Sequence, residues 1–328
     1  MIVVTGATGH VGNVLVRKLI NSNKKIRVLL ENNTDSSILD DLQIEKVTGN
    51  LLNPDSLLEA FKGAEIVFHL AAKISLIPNE DDIVRRVNYI GTKNVIEACK
   101  ICKVKKLVYM SSVHALQEPP DGIVIDESYP FDPDNNRGEY DRSKAMASLE
   151  VVNSIEKDFE TVVVCPSGII GPYDYLISFM GKTIIDFING KIKFFIDGAY
   201  DFVDVRDVVE GTISAADKGL AGEKYILSGQ RISVKEILEI LSYASRFEVP
   251  KMKIPKWLAT AASSLATIYY SLFKAKPVFT KYSFNTLQRN SLFSHFKASE
   301  ELGYNPRPVK ESILDSVLWF KKLGLLKN

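Results

Sequence analysis

The chain has 328 residues, more than the roughly 100 to 200 of an ordinary domain, so two lobes are expected. Hydrophobic residues make up 46% and charged residues 25%, which supplies a core and excludes a disordered chain. The 41 basic and 40 acidic residues leave a net charge of +1, too little to draw in nucleic acid, so none is expected as a partner.

Ile2 to Thr5 is a β-branched run that predicts a first strand, and it turns at once into a glycine loop. That leaves no room for a signal peptide, and a cytoplasmic location is expected. Val11, Val14, Leu15 and Leu19 recur at helical spacing, and Ile26 to Leu30 predicts a second strand. A strand at 45–47 follows, then a helix opened by Asn53-Pro54-Asp55, where Pro54 suits a first turn, and a strand at 66–70. A long helix is predicted over 84–99, a strand over 106–111, a helix around 143–157 and a strand over 161–165. The alternation predicts an α/β fold with a doubly wound parallel sheet.

After Pro166 the texture changes to Gly and Pro punctuation, aromatics and shorter elements. A Rossmann-type lobe is therefore expected over 1–170, with 201–218 returning to it as a strand leading into a helix. A smaller mixed α/β lobe for the substrate is expected over 171–200 and 219–328. Three cysteines, two of them at Cys99 and Cys102 in a helical segment, read as reduced thiols, because a lone CxxC lacks a second ligand pair for zinc. No metal site is expected. The uncharged run from Trp257 to Phe273 is shorter than the roughly 20 residues of a bilayer span and is broken by Thr260, Ser263, Ser264, Thr267 and Ser271. A buried or surface-docking helix fits it, and membrane contact is not expected.

Thr5-Gly6-Ala7-Thr8-Gly9-His10-Val11-Gly12 lies between the first strand and the first helix, where a phosphate-binding turn belongs. Glycines there permit a tight turn and close approach of backbone to a pyrophosphate, and the helix N-terminus presents unpaired N–H groups to the anion. The second strand runs into Glu31, which can accept hydrogen bonds from both ribose hydroxyls and would repel a 2′-phosphate. No arginine stands in Glu31-Asn32-Asn33-Thr34-Asp35, so NAD(H) is favoured over NADP(H). Tyr140-Asp141-Arg142-Ser143-Lys144 sets Tyr140 and Lys144 four apart on one helix face, so their charges can couple. Bringing a tyrosine hydroxyl from about 10 to about 7 needs about 4 kcal/mol of preferential phenolate stabilisation, which Lys144 and a cationic nicotinamide could supply.

These features, with Tyr109-Met110-Ser111-Ser112, resemble the extended short-chain dehydrogenase/reductase family, the NAD-dependent epimerases and dehydratases, over nearly the whole chain. The resemblance implies that Ser112, not its neighbour Ser111, holds the reacting oxygen, with Tyr140 and Lys144 as its catalytic partners. By the same resemblance, His69-Leu70-Ala71-Ala72, together with Lys73, passes the cofactor, and Asn88 supports it. Gly49-Asn50-Leu51 departs from a pattern in which many members carry an aspartate toward the adenine amine, and Asn50 retains a carbonyl acceptor for that contact.

Cys165-Pro166-Ser167-Gly168-Ile169-Ile170-Gly171-Pro172-Tyr173-Asp174-Tyr175 resembles the loop of dihydroflavonol-reductase-like and 3β-hydroxysteroid-dehydrogenase-like members, where Pro166, Ser167 and Gly168 would flank the nicotinamide. Epimerases often place a basic residue after that Gly-Pro to hold a sugar diphosphate, whereas Tyr173-Asp174-Tyr175 is aromatic and acidic. Phe179, Phe187, Phe194, Phe195, Trp257, Tyr269, Tyr270 and Phe273 suit an apolar ketone or aldehyde, although such stripes more often pack a core. The expected activity is reduction of an apolar carbonyl, or oxidation of its alcohol. A redox-neutral nucleotide-sugar epimerase or dehydratase is the alternative. A homodimer is implied by the resemblance alone.

Overall fold

The computed structural model describes residues 1–74, 80–258, 260 and 281–326. Seven parallel strands form the main sheet: β1 (Ile2–Thr5), β2 (Ile26–Leu30), β3 (Glu45–Thr48), β4 (Ile66–His69), β5 (Lys106–Met110), β6 (Glu160–Pro166) and β10 (Lys224–Leu227), in the order β10-β6-β5-β4-β1-β2-β3. The order reverses between β1 and β4, which pair from Ile2 with Ile66 to Thr5 with His69. A crevice opens at the carboxyl ends of strands at such a switch point, and the candidate site lies there.

Both faces of the sheet are covered because its central strands are buried on both sides, whereas the edge strand β3 is polar and largely exposed. α1 (His10–Leu19) buries Val11, Val14, Leu15 and Leu19 on one face, beside α7 (Val205–Lys218) and α10 (Phe296–Leu302). The other face carries α2 (Pro54–Phe61), α4 (Gly91–Ile101) and α5 (Glu139–Asn153), around Phe61, Val95, Leu107 and Ala147. α2 starts where the sequence predicts, with Asn53 Oδ1 accepting from Asp55 N at 3.1 Å and Pro54 in the first turn.

A third core, around Ile184, Phe202, Leu241 and Phe320, joins α6 (Phe179–Ile188), α8 (Val234–Tyr243) and α11 (Val309–Lys322) to a small sheet. That sheet runs in the order β11 (Gln230–Ser233), β9 (Ala199–Asp204), β7 (Gly168–Ile170), and β8 (Phe194–Ile196) pairs separately with β12 (Met252–Ile254).

Three expectations change. The second lobe is expected to resume at 219, yet β10 pairs with β6 from Lys224 with Val163 to Leu227 with Pro166, so that strand completes the main sheet. The helix expected over 84–99 is three pieces: α3 (Asp81–Arg85), a π-helical turn at Arg86–Ile90, and α4. The helix expected around 143–157 begins earlier, behind Gly138 at φ 138°, and ends at Asn153, short of a bridge between Glu156 and Phe159. Of the run 257–273, residues 259 and 261–273 lie outside the described residues, among them Tyr269, Tyr270 and Phe273. Among the described residues no helix is long and apolar enough to cross a membrane.

Candidate active site

The glycine loop is fixed by backbone contacts that leave no room for side chains. Gly6 has φ 75°, and a Cβ on it would lie 2.6 Å from the backbone nitrogen of Ala71. A Cβ on Gly12 would come to 2.0 Å from the Gly6 carbonyl oxygen. α1 then opens on Gly9 without a capping side chain and without an acidic residue in its first turn, so its end of positive dipole stays open. Buried Asn13 pins the loop from below, its amide donating to the carbonyls of Gly9 at 2.9 Å, His10 at 3.0 Å and Tyr173 at 3.2 Å. His10 Nε2 reaches the Pro172 carbonyl at 2.9 Å.

Two cavities meet over this loop, sharing Gly6, Gly9, Leu70, Ala72 and Ile74. The first, of about 510 Å³, is also lined by Thr8, Glu31, Asn50, Leu51, Ala71 and Lys73. The second, of about 490 Å³, is also lined by His10, Val11 and Gly12, by Ser112, Tyr140 and Lys144, and by Pro166, Ser167 and Gly168. A bare-backbone cradle, an uncapped helix end and an acidic side chain at the far wall suit a dinucleotide, with its pyrophosphate at the loop and a ribose at Glu31.

Asn50 is engaged otherwise than expected. Its side-chain oxygen accepts from Leu52 N at 2.7 Å and its amide donates to Glu31 Oε1 at 3.3 Å. One of that oxygen's two lone pairs is thus taken locally, and the amide steadies Glu31.

Asn88 lines neither cavity. The π-turn rotates its buried amide inward, where its oxygen accepts from Lys73 N at 2.7 Å and its nitrogen donates to the Lys73 carbonyl at 3.0 Å and to Ser143 Oγ at 3.1 Å. It thus ties the loop after β4 to the helix that carries Tyr140 and Lys144. Beneath the loop, His69 bridges Thr5 Oγ1 at 2.7 Å and Thr92 Oγ1 at 3.0 Å. Burial, with a smaller push from the Lys144 charge, lowers its pKa to about 3.

Ser112 follows β5 in extended conformation and its hydroxyl accepts from His114 N at 3.2 Å. Ser111 Oγ is instead 2.6 Å from Ser148 Oγ, facing the core. Burial first, then the Asp141 carboxylate, push the Tyr140 hydroxyl upward, while a hydrogen bond with Ser112 opposes them. Lys144 is buried, donates to the Met110 carbonyl at 2.6 Å and to Tyr109 OH at 3.4 Å, and is lowered by burial to about 7. In the protein alone burial thus governs both groups, and Lys144 spends its donors on β5 instead of on Tyr140.

Sequence reasoning missed most of the second cavity's far wall: His114, Met180, Tyr200, Phe202, Tyr282 and Leu287. Of the aromatics expected to suit an apolar substrate, Phe179 is the only one among the described residues that lines it, and Phe187 is core. Tyr173 and Tyr175 pack on Trp319 at ring-centroid distances of 4.9 and 5.0 Å, and buried Asp174 accepts from Ser178 N at 2.9 Å, so this trio braces the loop.

Residues 2–228 match the model of the NAD dependent epimerase/dehydratase family, and the chain belongs to that family, the extended short-chain dehydrogenases/reductases. It is 31% identical to the sterol demethylase protein B of Methylococcus capsulatus, over 98% of this chain and 99% of that protein. It is 30% identical to the 3beta-hydroxysteroid-dehydrogenase/decarboxylase isoform 1 of Arabidopsis thaliana, over 98% of this chain and 80% of that one. The crystal structure of gox2253 matches with a TM-score of 0.87 and 32% identity, over 100% of this chain and 99% of that one. The protein is an enzyme of the short-chain dehydrogenase/reductase type, in the dihydroflavonol-reductase-like and 3β-hydroxysteroid-dehydrogenase-like branch.

Proposed function

We propose that the protein is an NAD(H)-dependent oxidoreductase that interconverts an apolar secondary alcohol, of sterol-like size, with its ketone. The observation that carries this reading is the second cavity, whose lining combines Ser112, Tyr140 and Lys144 with the apolar side chains of Phe179, Met180, Phe202 and Leu287. A bound nicotinamide supplies the hydride donor or acceptor. Ser112 accepts or donates one hydrogen bond at the reacting oxygen and so fixes its place; Tyr140 delivers or removes the proton on that oxygen. Because burial holds the Tyr140 hydroxyl high, the reading requires added positive charge close to it in the loaded enzyme, from Lys144 and an oxidised nicotinamide. Glu31 at the rim of the first cavity favours NAD(H) over NADP(H) through charge repulsion of a 2′-phosphate. The relatives' names support a sterol or steroid ring as the apolar body. We also take the 171–200 segment and the chain beyond β10 as the substrate lobe.

The test is nicotinamide absorbance during incubation with NAD and a 3β-hydroxysteroid, or with NADH and steroid, flavonoid and aliphatic ketones, beside nucleotide sugars, with products identified by mass. A net change in NADH with an apolar alcohol or ketone is expected. Conversion of a nucleotide sugar with no net change in NADH would replace this reading by an epimerase or dehydratase.

A further inference from the structure

Next to Tyr140 in the chain stands a carboxylate that is wholly buried, that of Asp141. Its Oδ1 accepts from the Tyr282 hydroxyl at 2.7 Å. Its Oδ2 faces Arg137 Nε at 3.2 Å, Arg289 Nη1 at 3.4 Å and His114 Nδ1 at 3.6 Å. His114 passes the arrangement on, for its Nε2 lies 2.9 Å from the Tyr200 hydroxyl and the two rings stack at 5.8 Å. The donors come from the turn after β5, the loop before α5 and a segment 141 residues further along the chain at Tyr282. A buried charge is costly unless every donor is in place, so these segments hold together or part together. Burial alone would raise the Asp141 carboxyl, and His114, Tyr282 and Arg289 outweigh it and hold the group below the usual carboxylate range.

Tyr200 and Tyr282 both line the substrate cavity, yet both hydroxyls are turned into this network. We propose that Asp141 is a positioning residue that seats the Tyr282–Arg289 segment on the first turn of the Tyr140 helix, so that the aromatic wall of the substrate cavity and the reacting hydroxyl are set together. The seating stands on the geometry alone; its effect on turnover rests on the reading of Tyr140 given above.

The experiment compares Asp141→Asn, Tyr282→Phe and the double variant in the full-length protein by amide hydrogen exchange, NAD affinity and turnover of a 3β-hydroxysteroid. In Asp141→Asn, exchange should quicken together over 281–290 and 111–116 by about tenfold or more, while β1 and β4 stay protected, because these segments share one buried charge. NAD affinity should stay within about twofold, and the steroid KM should rise more than kcat falls. Tyr282→Phe should shift the same segments by less, and the double variant should be no worse than Asp141→Asn, as expected when two groups act through one contact. Exchange that changes in α5 alone, or effects of the two substitutions that simply add, would overturn the proposal. Should Asp141→Asn fail to fold, Tyr282→Phe decides by the same exchange pattern. A wild-type enzyme inert toward the steroid would sink the substrate reading, and the exchange pattern would still judge the seating.

Discussion

The cofactor cleft and the substrate cavity are of nearly equal size, about 510 and 490 Å³, and are built in opposite ways. The cleft is a backbone object: Gly6 in its wall allows no Cβ and is packed by Gly12, while Asn13 and Asn88 fasten the main chain behind it, and Glu31 in its lining is steadied by Asn50. The substrate cavity is a side-chain object, assembled from Tyr140, Tyr200, Phe202, Tyr282 and Leu287 on separate elements. A site whose shape is set by main chain admits few solutions and keeps one ligand. A wall of side chains on separate elements can change its ligand without disturbing the chemistry next to it.

That contrast predicts which readout each substitution moves. Tyr140→Phe should reduce turnover by about 10²- to 10⁴-fold, the usual range for losing a general acid–base group, while dinucleotide affinity measured by titration stays near wild type. Equal loss of affinity and turnover would mean that the two halves are not separable. Gly12→Ala, whose Cβ would meet the Gly6 oxygen at 2.0 Å, should act on the other half. Overpacking of about 1 to 3 kcal/mol corresponds to a dinucleotide affinity weaker by roughly 5- to 150-fold, read by calorimetry. Glu31→Gln removes the charge and should raise the NADP-to-NAD preference by about tenfold, with the steroid KM unmoved.

An effect on stability belongs to the histidine under both halves. Native His69 is lowered to about 3 from an ordinary 6.5, so between those values the unfolded chain binds a proton that the folded one refuses. Stability must therefore fall as pH drops from 6.5 toward 3, by up to about 1.4 kcal/mol per pH unit from this group. Urea midpoints of His69→Gln at neutral pH and near pH 4.5 should differ by less than those of wild type. An unchanged pH dependence would show that His69 is protonated in the native protein.

The sequence was informative in proportion to how local each feature is. Val11, Val14, Leu15 and Leu19 show their helix because 3.6-residue spacing is a local property, and all four are buried as expected. The glycine loop is equally legible, since its glycine spacing lies within eight residues, although the contact that bars a Cβ from Gly6 comes from Ala71. The π-turn that swings Asn88 inward carries no such periodic mark, and neither does β10, a short strand recognised only by its partner β6. His114 and Tyr200 are 86 residues apart, and no local pattern connects them. Tyr173 and Tyr175 read only as lacking the basic residue for a sugar diphosphate, and nothing local shows that Trp319, far along the chain, takes their rings.

The most direct test of the central claim follows hydride across the boundary between the two halves. NADH carrying deuterium at both C4 positions is incubated with the enzyme and the ketone of a 3β-hydroxysteroid, and the alcohol product is weighed by mass spectrometry. The account predicts one deuterium on the carbinol carbon for each NADH consumed. An unlabelled product, or conversion of a nucleotide sugar with the label still in the dinucleotide, would contradict it.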